Sequence, residues 1–287
     1  MFEITMLGTA SAVPTTQRGL SAIAMRRDGD VFLLDCGEGT QRQMMRFGVS
    51  YMKVKAIFIS HLHLDHFLGV FGLVETMALN GRKEKLTIYG PRGSSAVFNR
   101  KDFVEIVEID GKFSRQFDGF TASAFPTGHT KESFGFVFAE ETRRRFHEDK
   151  AKGLGLKGPM FSQIMEKGSL KIGKKTIKLK DVTYEQEGKK LVYTGDAVAS
   201  AAIAKAAKGA DLLIHEATFC CDRQEEAKEA KHCTALQAAQ VAKKAGAKKL
   251  LLTHISGRYL GSQQLLDEAK KAFENTAVAE DGMKLSV

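Results

Sequence analysis

The string His61-Leu-His63-Leu-Asp65-His66 constrains this chain more than any other feature. Four side chains with lone pairs to share stand within six residues. They follow directly on Ala56-Ile-Phe-Ile-Ser60, an apolar run of the kind that forms a buried strand. A strand end followed by a tight loop lets alternate side chains converge. His61 and His63 point the same way, while Asp65 and His66 turn toward a neighbouring centre. Neutral imidazole and carboxylate together suit zinc and similar borderline ions. A lone histidine here would read as part of a surface turn; four ligand-type residues at this density point to metal.

Three further residues repeat the design. His129 follows Phe125-Pro-Thr-Gly128, Asp196 ends Val192-Tyr-Thr-Gly-Asp196, and His254 ends Leu250-Leu-Leu-Thr-His254. Singly, each has a plain alternative: a capping Asp, or a His bonded to a backbone carbonyl. Together they place a ligand at the carboxyl end of a buried strand, where open α/β sheets build their sites. Two metals ~3.5–4 Å apart can clamp the attacking and leaving oxygens of a displacement. The leaving oxygen also needs a proton. Glu216, after the strand-like Asp211–Glu216, and His232, just before a helix, are a candidate pair, because a Glu keeps a neighbouring His protonated. By spacing alone His232 reads better as an exposed residue at a helix start, and the plain alternative for Glu216 is a surface carboxylate.

Strand and helix signals alternate through both halves of the chain. Strands are expected at Phe2–Leu7, Ser21–Arg26, Val31–Asp35, Ala56–Ser60, Leu86–Tyr89, Phe120–Phe125 and Phe134–Ala139. Helices are expected at Thr40–Phe47 and from about Phe67 to Asn80. Further on, strands at Leu191–Thr194, Asp211–Glu216, Lys249–Thr253 and Met283–Val287 alternate with helices at Ala199–Lys208, Thr234–Ala245 and Ser262–Phe273. Thr142–Gly173 breaks the rhythm and reads as an insertion in a single domain spanning residues 1–287.

Charge marks the same stretch. The chain carries a net charge of +9, which points toward polyanions, nucleic acid before an acidic membrane surface. Thr142–Lys180 holds twelve Lys and Arg against three Asp and Glu, leaving 31 of each sign in the rest. The basic character therefore belongs to one segment. Its Arg143, Arg144, Arg145, Lys152 and Lys157 are candidate phosphate contacts. Cys36, Cys220, Cys221 and Cys233 form no C-x-x-C pair and read as free thiols in a reducing compartment. With no secretory leader and no apolar run of spanning length, a cytoplasmic protein without membrane contact is expected.

The metal constellation resembles the metallo-β-lactamase superfamily, whose signature H-x-H-x-D-H is met by His61, His63, Asp65 and His66. The resemblance implies an α/β fold, the αββα sandwich. It implies one metal on His61, His63, His129 and Asp196, and a second on Asp65, His66, His254 and the shared Asp196. Longer strings are similar to the tRNase Z family: Leu7-Gly-Thr-Ala, Asp35-Cys-Gly-Glu-Gly-Thr-Gln41, His215-Glu-Ala-Thr-Phe219, His232-x-Thr234 and Leu252-Thr-His-Ile-Ser-x-Arg-Tyr259. That resemblance implies an endoribonuclease that cuts precursor tRNA after the discriminator base. It implies two zinc ions, or manganese in their place, and a homodimer. It gives Glu216 and His232 the proton relay and has Asp65 assist the attacking water. It makes the basic insertion, with Lys152-Gly-Leu-Gly-Leu-Lys-Gly-Pro-Met-Phe161, a flexible arm that grips tRNA. Pro14 and Arg18 match the family's P-x-K-x-R-N loop, adding Arg18 to the RNA-binding candidates; the Lys and Asn of that loop are absent.

Two rival readings stay open on the sequence. One is a small-molecule hydrolase or cyclic phosphodiesterase on the same scaffold, against which the basic insertion argues. The other is an RNA-binding remnant with a dead site, against which the complete ligand set argues.

Overall fold

A computed structural model describes residues 1–98, 101–259 and 261–287. Two compact units emerge, one formed by Met1–Ala139 with Lys189–Val287, the other by Glu140–Gly188.

The larger unit is built on two seven-stranded sheets. In the first, β1 (Glu3–Gly8), β2 (Ala22–Arg27), β3 (Asp30–Cys36), β4 (Val54–Phe58), β5 (Leu86–Pro91) and β6 (Val104–Ile109) lie in sequence order, with the last strand of the chain, β18 (Lys284–Ser286), beside β1. The second sheet runs from β7 (Ser114–Phe117) through β8 (Phe120–Pro126) and β9 (Phe134–Glu140) to β14 (Lys190–Tyr193), β15 (Leu212–Glu216), β16 (Leu250–Thr253) and β17 (Thr276–Val278). Between β9 and β14 the chain makes the smaller unit, with β10 (Arg143–Phe146), β11 (Ser169–Ile172), β12 (Lys175–Lys178) and β13 (Thr183–Gln186).

Side-chain alternation explains the layering. Successive residues of a strand face opposite sides, so a central strand covered on both faces must be apolar throughout. In β3, Phe32 and Leu34 enter the cluster between the sheets, while Val31 and Leu33 pack with Met44, Val70, Leu73 and Met77 of the helices Thr40–Phe47 and Gly69–Leu79. In β15 and β16, Leu212, Ile214 and Leu251 face the inner cluster, which also holds Phe120, Phe136 and Phe138. Leu213, Leu250 and Leu252 pack against Ala238, Ala242 and Leu265 of the helices Ala235–Ala245 and Gln263–Lys270. The result is an αββα sandwich. Parallel pairing of β3 to β6 and of β14 to β17 sends the carboxyl ends of the middle strands to one edge of each sheet.

The smaller unit has its own core of Ala151, Leu156, Ile164, Ile177, Leu179 and Val182, with Phe146 and Phe161 stacked edge to face at 4.9 Å. It is wider than the insertion expected at 142–173. The strand β10 pairs with β13, Arg143 opposite Gln186, so the excursion closes only when the chain has returned to Gly188. The hairpin β11–β12 and the helices Glu148–Gly153 and Met160–Lys167 fill the interval. Among the described residues no helix is long and apolar enough to cross a membrane. All four cysteines are free; Cys36, Cys220 and Cys233 are buried.

Candidate metal centre

The site is assembled from turns after β3, β4, β8, β14, β15 and β16. Ser60 and His61 follow β4, and the chain then enters the short helix Leu64–Phe67, carrying Asp65 and His66. Asp196 follows β14 through Gly195, whose φ is +58°; a Cβ there would stand 2.6 Å from Ser60 Cβ, so glycine is required where the two turns meet. His254 lies just past β16 with φ +57°, and Asp35, next to last in β3, has φ +56°. Both are strained for non-glycine residues, a cost of order 1–3 kcal/mol each that surrounding contacts must offset.

Among the described residues three donor groups result. His61, His63, His129 and Asp196 form one; Asp65, His66 and His254 form another; Asp196, His232 and His254 form the third; within each, the donor atoms lie within 4.8 Å of one another. Asp196 joins the first two. Its Oδ2 is 3.5 Å from His61 Nε2 and 3.7 Å from His129 Nε2. Its Oδ1 is 3.2 Å from both His66 Nε2 and His254 Nε2. Asp65 Oδ2 stands 3.4 Å from the same two ring nitrogens. Donors arranged tetrahedrally at ~2.0–2.1 Å from an ion stand about 3.3 Å from one another, close to these separations.

Hydrogen bonding fixes which nitrogen faces inward. His66 Nδ1 donates to Asp35 Oδ2 at 2.7 Å. His129 Nδ1 donates to the Lys231 carbonyl at 2.9 Å. His254 Nδ1 donates to Thr218 Oγ1 at 2.9 Å, the hydroxyl giving its own proton to Glu216 Oε2. His61 Nδ1 donates to Ser60 Oγ at 3.0 Å, and that hydroxyl donates to Asp35 Oδ2. Each imidazole thus presents an unprotonated Nε2 to the interior when neutral. His66 and His254 bring these atoms to 3.3 Å, and His129 Nε2 meets His63 Nδ1 at 3.2 Å. Ring nitrogens at that distance can share either a proton or a metal ion. His61 Nε2 and Asp196 Oδ1 are also buried with no hydrogen-bond partner. The donor set therefore fits a metal.

Burial and charge pull the proton affinities of these groups apart. Burial would raise the Asp196 carboxyl, but the charges of His254, His66 and His61 hold it well below its usual range. Burial would lower His66, yet Asp196 and Asp35 hold it well above. Burial also opposes ionisation of Asp65, and hydrogen bonds from His254 and His66 overcome it, keeping it below the carboxylate range. His61 moves the other way: burial, reinforced by the neighbouring His66, depresses it strongly.

Beside these groups lie Glu216 and His232, Oε1 to Nδ1 at 2.9 Å. Glu216 is fully buried and accepts three further hydrogen bonds, from Ala197 N at 3.0 Å, Thr218 N at 3.1 Å and Thr218 Oγ1 at 2.7 Å. A buried ion costs several kcal/mol of lost hydration. Charge-assisted hydrogen bonds at ~1.5–3 kcal/mol each can offset that. Burial raises the Glu216 carboxyl, and His232 brings it below its ordinary value. Burial in turn lowers His232, but Glu216 raises it to about 9.

The sequence reading gave no role to Asp35, which accepts from His66, Ser60 N, Ser60 Oγ and Tyr193 Oη. Nor did it single out Thr218. The signal available for Asp35 was a carboxylate at the end of an apolar strand before a glycine turn, the same cue that marked Asp196. Arg18 is not at this centre. Its Nη1 donates to Thr9 Oγ1 and to the Ala279 carbonyl, both at 2.6 Å. Arg143, Arg144, Arg145, Lys152 and Lys157 lie in the smaller unit, where Arg144 pairs with Glu185 at 3.2 Å and Lys152 with Glu148 at 2.9 Å.

Comparison with known proteins accords with this architecture. Residues 2–154 match the family described as Anti-Pycsar protein Apyc1, and residues 179–255 match the beta-lactamase superfamily domain. The metallo-beta-lactamase fold protein YhfI from Bacillus subtilis shares the fold, with a TM-score of 0.75 over 99% of this chain and 98% of its own at 22% identity. Human tRNase Z, short form, superposes with a TM-score of 0.70 at 29% identity over 99% of both chains. Ribonuclease Z of Archaeoglobus fulgidus is 42% identical, and that of Methanosarcina acetivorans 39%, each across 100% of this chain and 98% of the relative. Identity of this order along the whole chain places it in the ribonuclease Z family, on the metallo-β-lactamase fold.

Proposed function

We propose that the protein is a zinc-dependent endoribonuclease that removes the 3′ trailer from precursor tRNA in the cytoplasm, working as a homodimer. One ion would be held by His61, His63, His129 and Asp196, the other by Asp65, His66, His254 and the shared Asp196. The observation that carries this reading is the split of Asp196, one oxygen toward each group of imidazoles, beside a Glu216–His232 pair 2.9 Å apart. When bound, the two ions supply Lewis acidity that makes hydroxide available near neutral pH and neutralises phosphoryl charge. Manganese suits the same nitrogen and oxygen donors.

The chain's own residues do the rest. Asp65, held ionised and fixed by the Ala12 amide at 3.0 Å, orients the attacking water. His232, kept protonated by Glu216, gives its proton to the departing 3′ oxygen, so the tRNA ends in a 3′-OH and the trailer in a 5′-phosphate. The basic unit, with Arg143, Arg144, Arg145, Lys152 and Lys157, holds the tRNA backbone. Arg18, anchored to Thr9 and Ala279, shapes the loop before β2.

Incubation with unprocessed precursor tRNA and mapping of both product ends tests the reading. A single cut after the discriminator base, leaving 3′-OH and 5′-phosphate, is expected. A 2′,3′-cyclic phosphate, or cuts scattered along the RNA, would overturn it.

A further inference from the structure

The proton donor does not sit on a regular element. Between β15 and the helix Ala235–Ala245 the chain makes an excursion through a 3-10 turn (Cys221–Arg223) and a short helix (Gln224–Glu229) and returns at His232. Such a segment holds a side chain in place only if its base is fastened. Part of the fastening is local: Phe219 bridges to Thr234, and Thr234 with Gln237 forms a capping box. The rest comes from elsewhere in the chain. Glu268, on the helix Gln263–Lys270, is buried, and its two carboxylate oxygens are divided between the start of the excursion and the first turn of the helix that follows it. Oε2 accepts from Cys221 N at 2.7 Å on the outgoing limb; Oε1 accepts from Leu236 N at 3.0 Å in the first turn of the helix Ala235–Ala245, just past His232. Next to it, Tyr259 Oη accepts from Cys220 N at 2.8 Å.

We propose that Glu268 is a positioning residue for the reaction, one carboxylate that closes the base of the His232 segment and so sets where the proton donor stands. The inference rests on the relay reading of His232. Neither Glu268 oxygen touches the metal centre or a substrate; its effect passes through two backbone amides. A glutamine at 268 keeps the shape but offers one acceptor and one NH2, so one of the two amides loses its partner and meets a donor instead.

The test uses the full-length protein with two phosphodiesters. Precursor tRNA leaves through an alkoxide that needs a proton; bis(p-nitrophenyl) phosphate leaves through nitrophenolate, which does not. For Glu268→Gln we expect kcat on precursor tRNA to fall by about 10- to 100-fold, part of the ~10²–10⁴ a general acid contributes. KM, bound metal and nitrophenyl ester hydrolysis should stay within about twofold. His232→Ala should show the same selective loss, larger. Tyr259→Phe should show it in weaker form, and it decides the matter if Glu268→Gln does not fold. Equal loss on both substrates, or no loss on either, overturns the proposal. A slow His232→Ala beside a normal Glu268→Gln sinks this proposal alone; a His232→Ala that cleaves precursor at the wild-type rate sinks the relay as well.

Discussion

The metal centre and the Glu140–Gly188 unit both concentrate charge, in opposite ways. At the centre, Asp35, Asp196 and Glu216 are buried; the oxygens of Asp35 and Glu216 are matched to hydrogen-bond donors, and those of Asp196 face the imidazoles. In the smaller unit the charged side chains are exposed, and ion pairs such as Lys152–Glu148 lie on the surface. Buried charge is strong and intolerant of change, because removing one partner strands the other at a cost of about 3–5 kcal/mol. Exposed charge is screened within about 8–10 Å in ordinary salt, so each residue contributes little and many contribute together. Chemistry should therefore fail at single substitutions in the first region and fade by degrees in the second.

The largest effect should come from Asp196→Ala, which removes the oxygen pair facing both donor groups. Loss of bound metal in elemental analysis and a fall in cleavage beyond about 10⁴-fold are expected. Retained metal and activity would break the contrast at its strongest point. Next comes excision of the smaller unit. The chain leaves and re-enters the sandwich at one place, since a Cβ on Gly188 would stand 2.1 Å from the Glu140 carbonyl oxygen, so a short glycine link can replace residues 141–187. Precursor cleavage should fall by at least ~10²-fold while nitrophenyl ester hydrolysis persists, because several phosphate contacts are lost together. Equal loss of both would mean that the unit serves the chemistry as well.

Asp35→Asn tests the support beneath the ligands. An amide cannot accept from His66 with a full charge, and a 10- to 100-fold loss in metal affinity is expected from competition with a chelator. Glu216→Gln should shift a pH profile. His232 donates only when protonated, so precursor cleavage declines as pH rises through its pKa, held at about 9 by Glu216. Removing that charge lowers the pKa, and the alkaline limb should move to lower pH. An unmoved limb would separate the limb from His232. Smallest of all, Arg143→Ala and Arg145→Ala should each reduce the slope of log KM against log salt by about 0.9 for one lost phosphate contact. Arg144→Ala should do less, its guanidinium being bonded to Glu185.

How far the sequence could be read follows the same division. The four donors of His61–His66 were legible because they are local, and His129, Asp196 and His254 because each ends an apolar run. Glu216 and His232 had no local signature and came through family likeness. Asp35 and Glu268 were missed, since what each bonds to lies far along the chain, at His66 and at Cys221 with Leu236. The helix Thr40–Phe47 was delimited correctly, the expected helix from Phe67 is two segments meeting at Leu68, and β6 went unread although Val104-Glu-Ile-Val-Glu-Ile109 lies at a sheet edge with mixed exposure. In the smaller unit the elements were hidden because six buried apolar residues are diluted among lysines and glycines.

The bond from His129 Nδ1 to the carbonyl of Lys231 ties an imidazole of the centre to the residue immediately before His232, and Lys231 itself is held at φ +57°. That peptide thus lies beneath two rings, one turned to the donor groups and one bonded to Glu216.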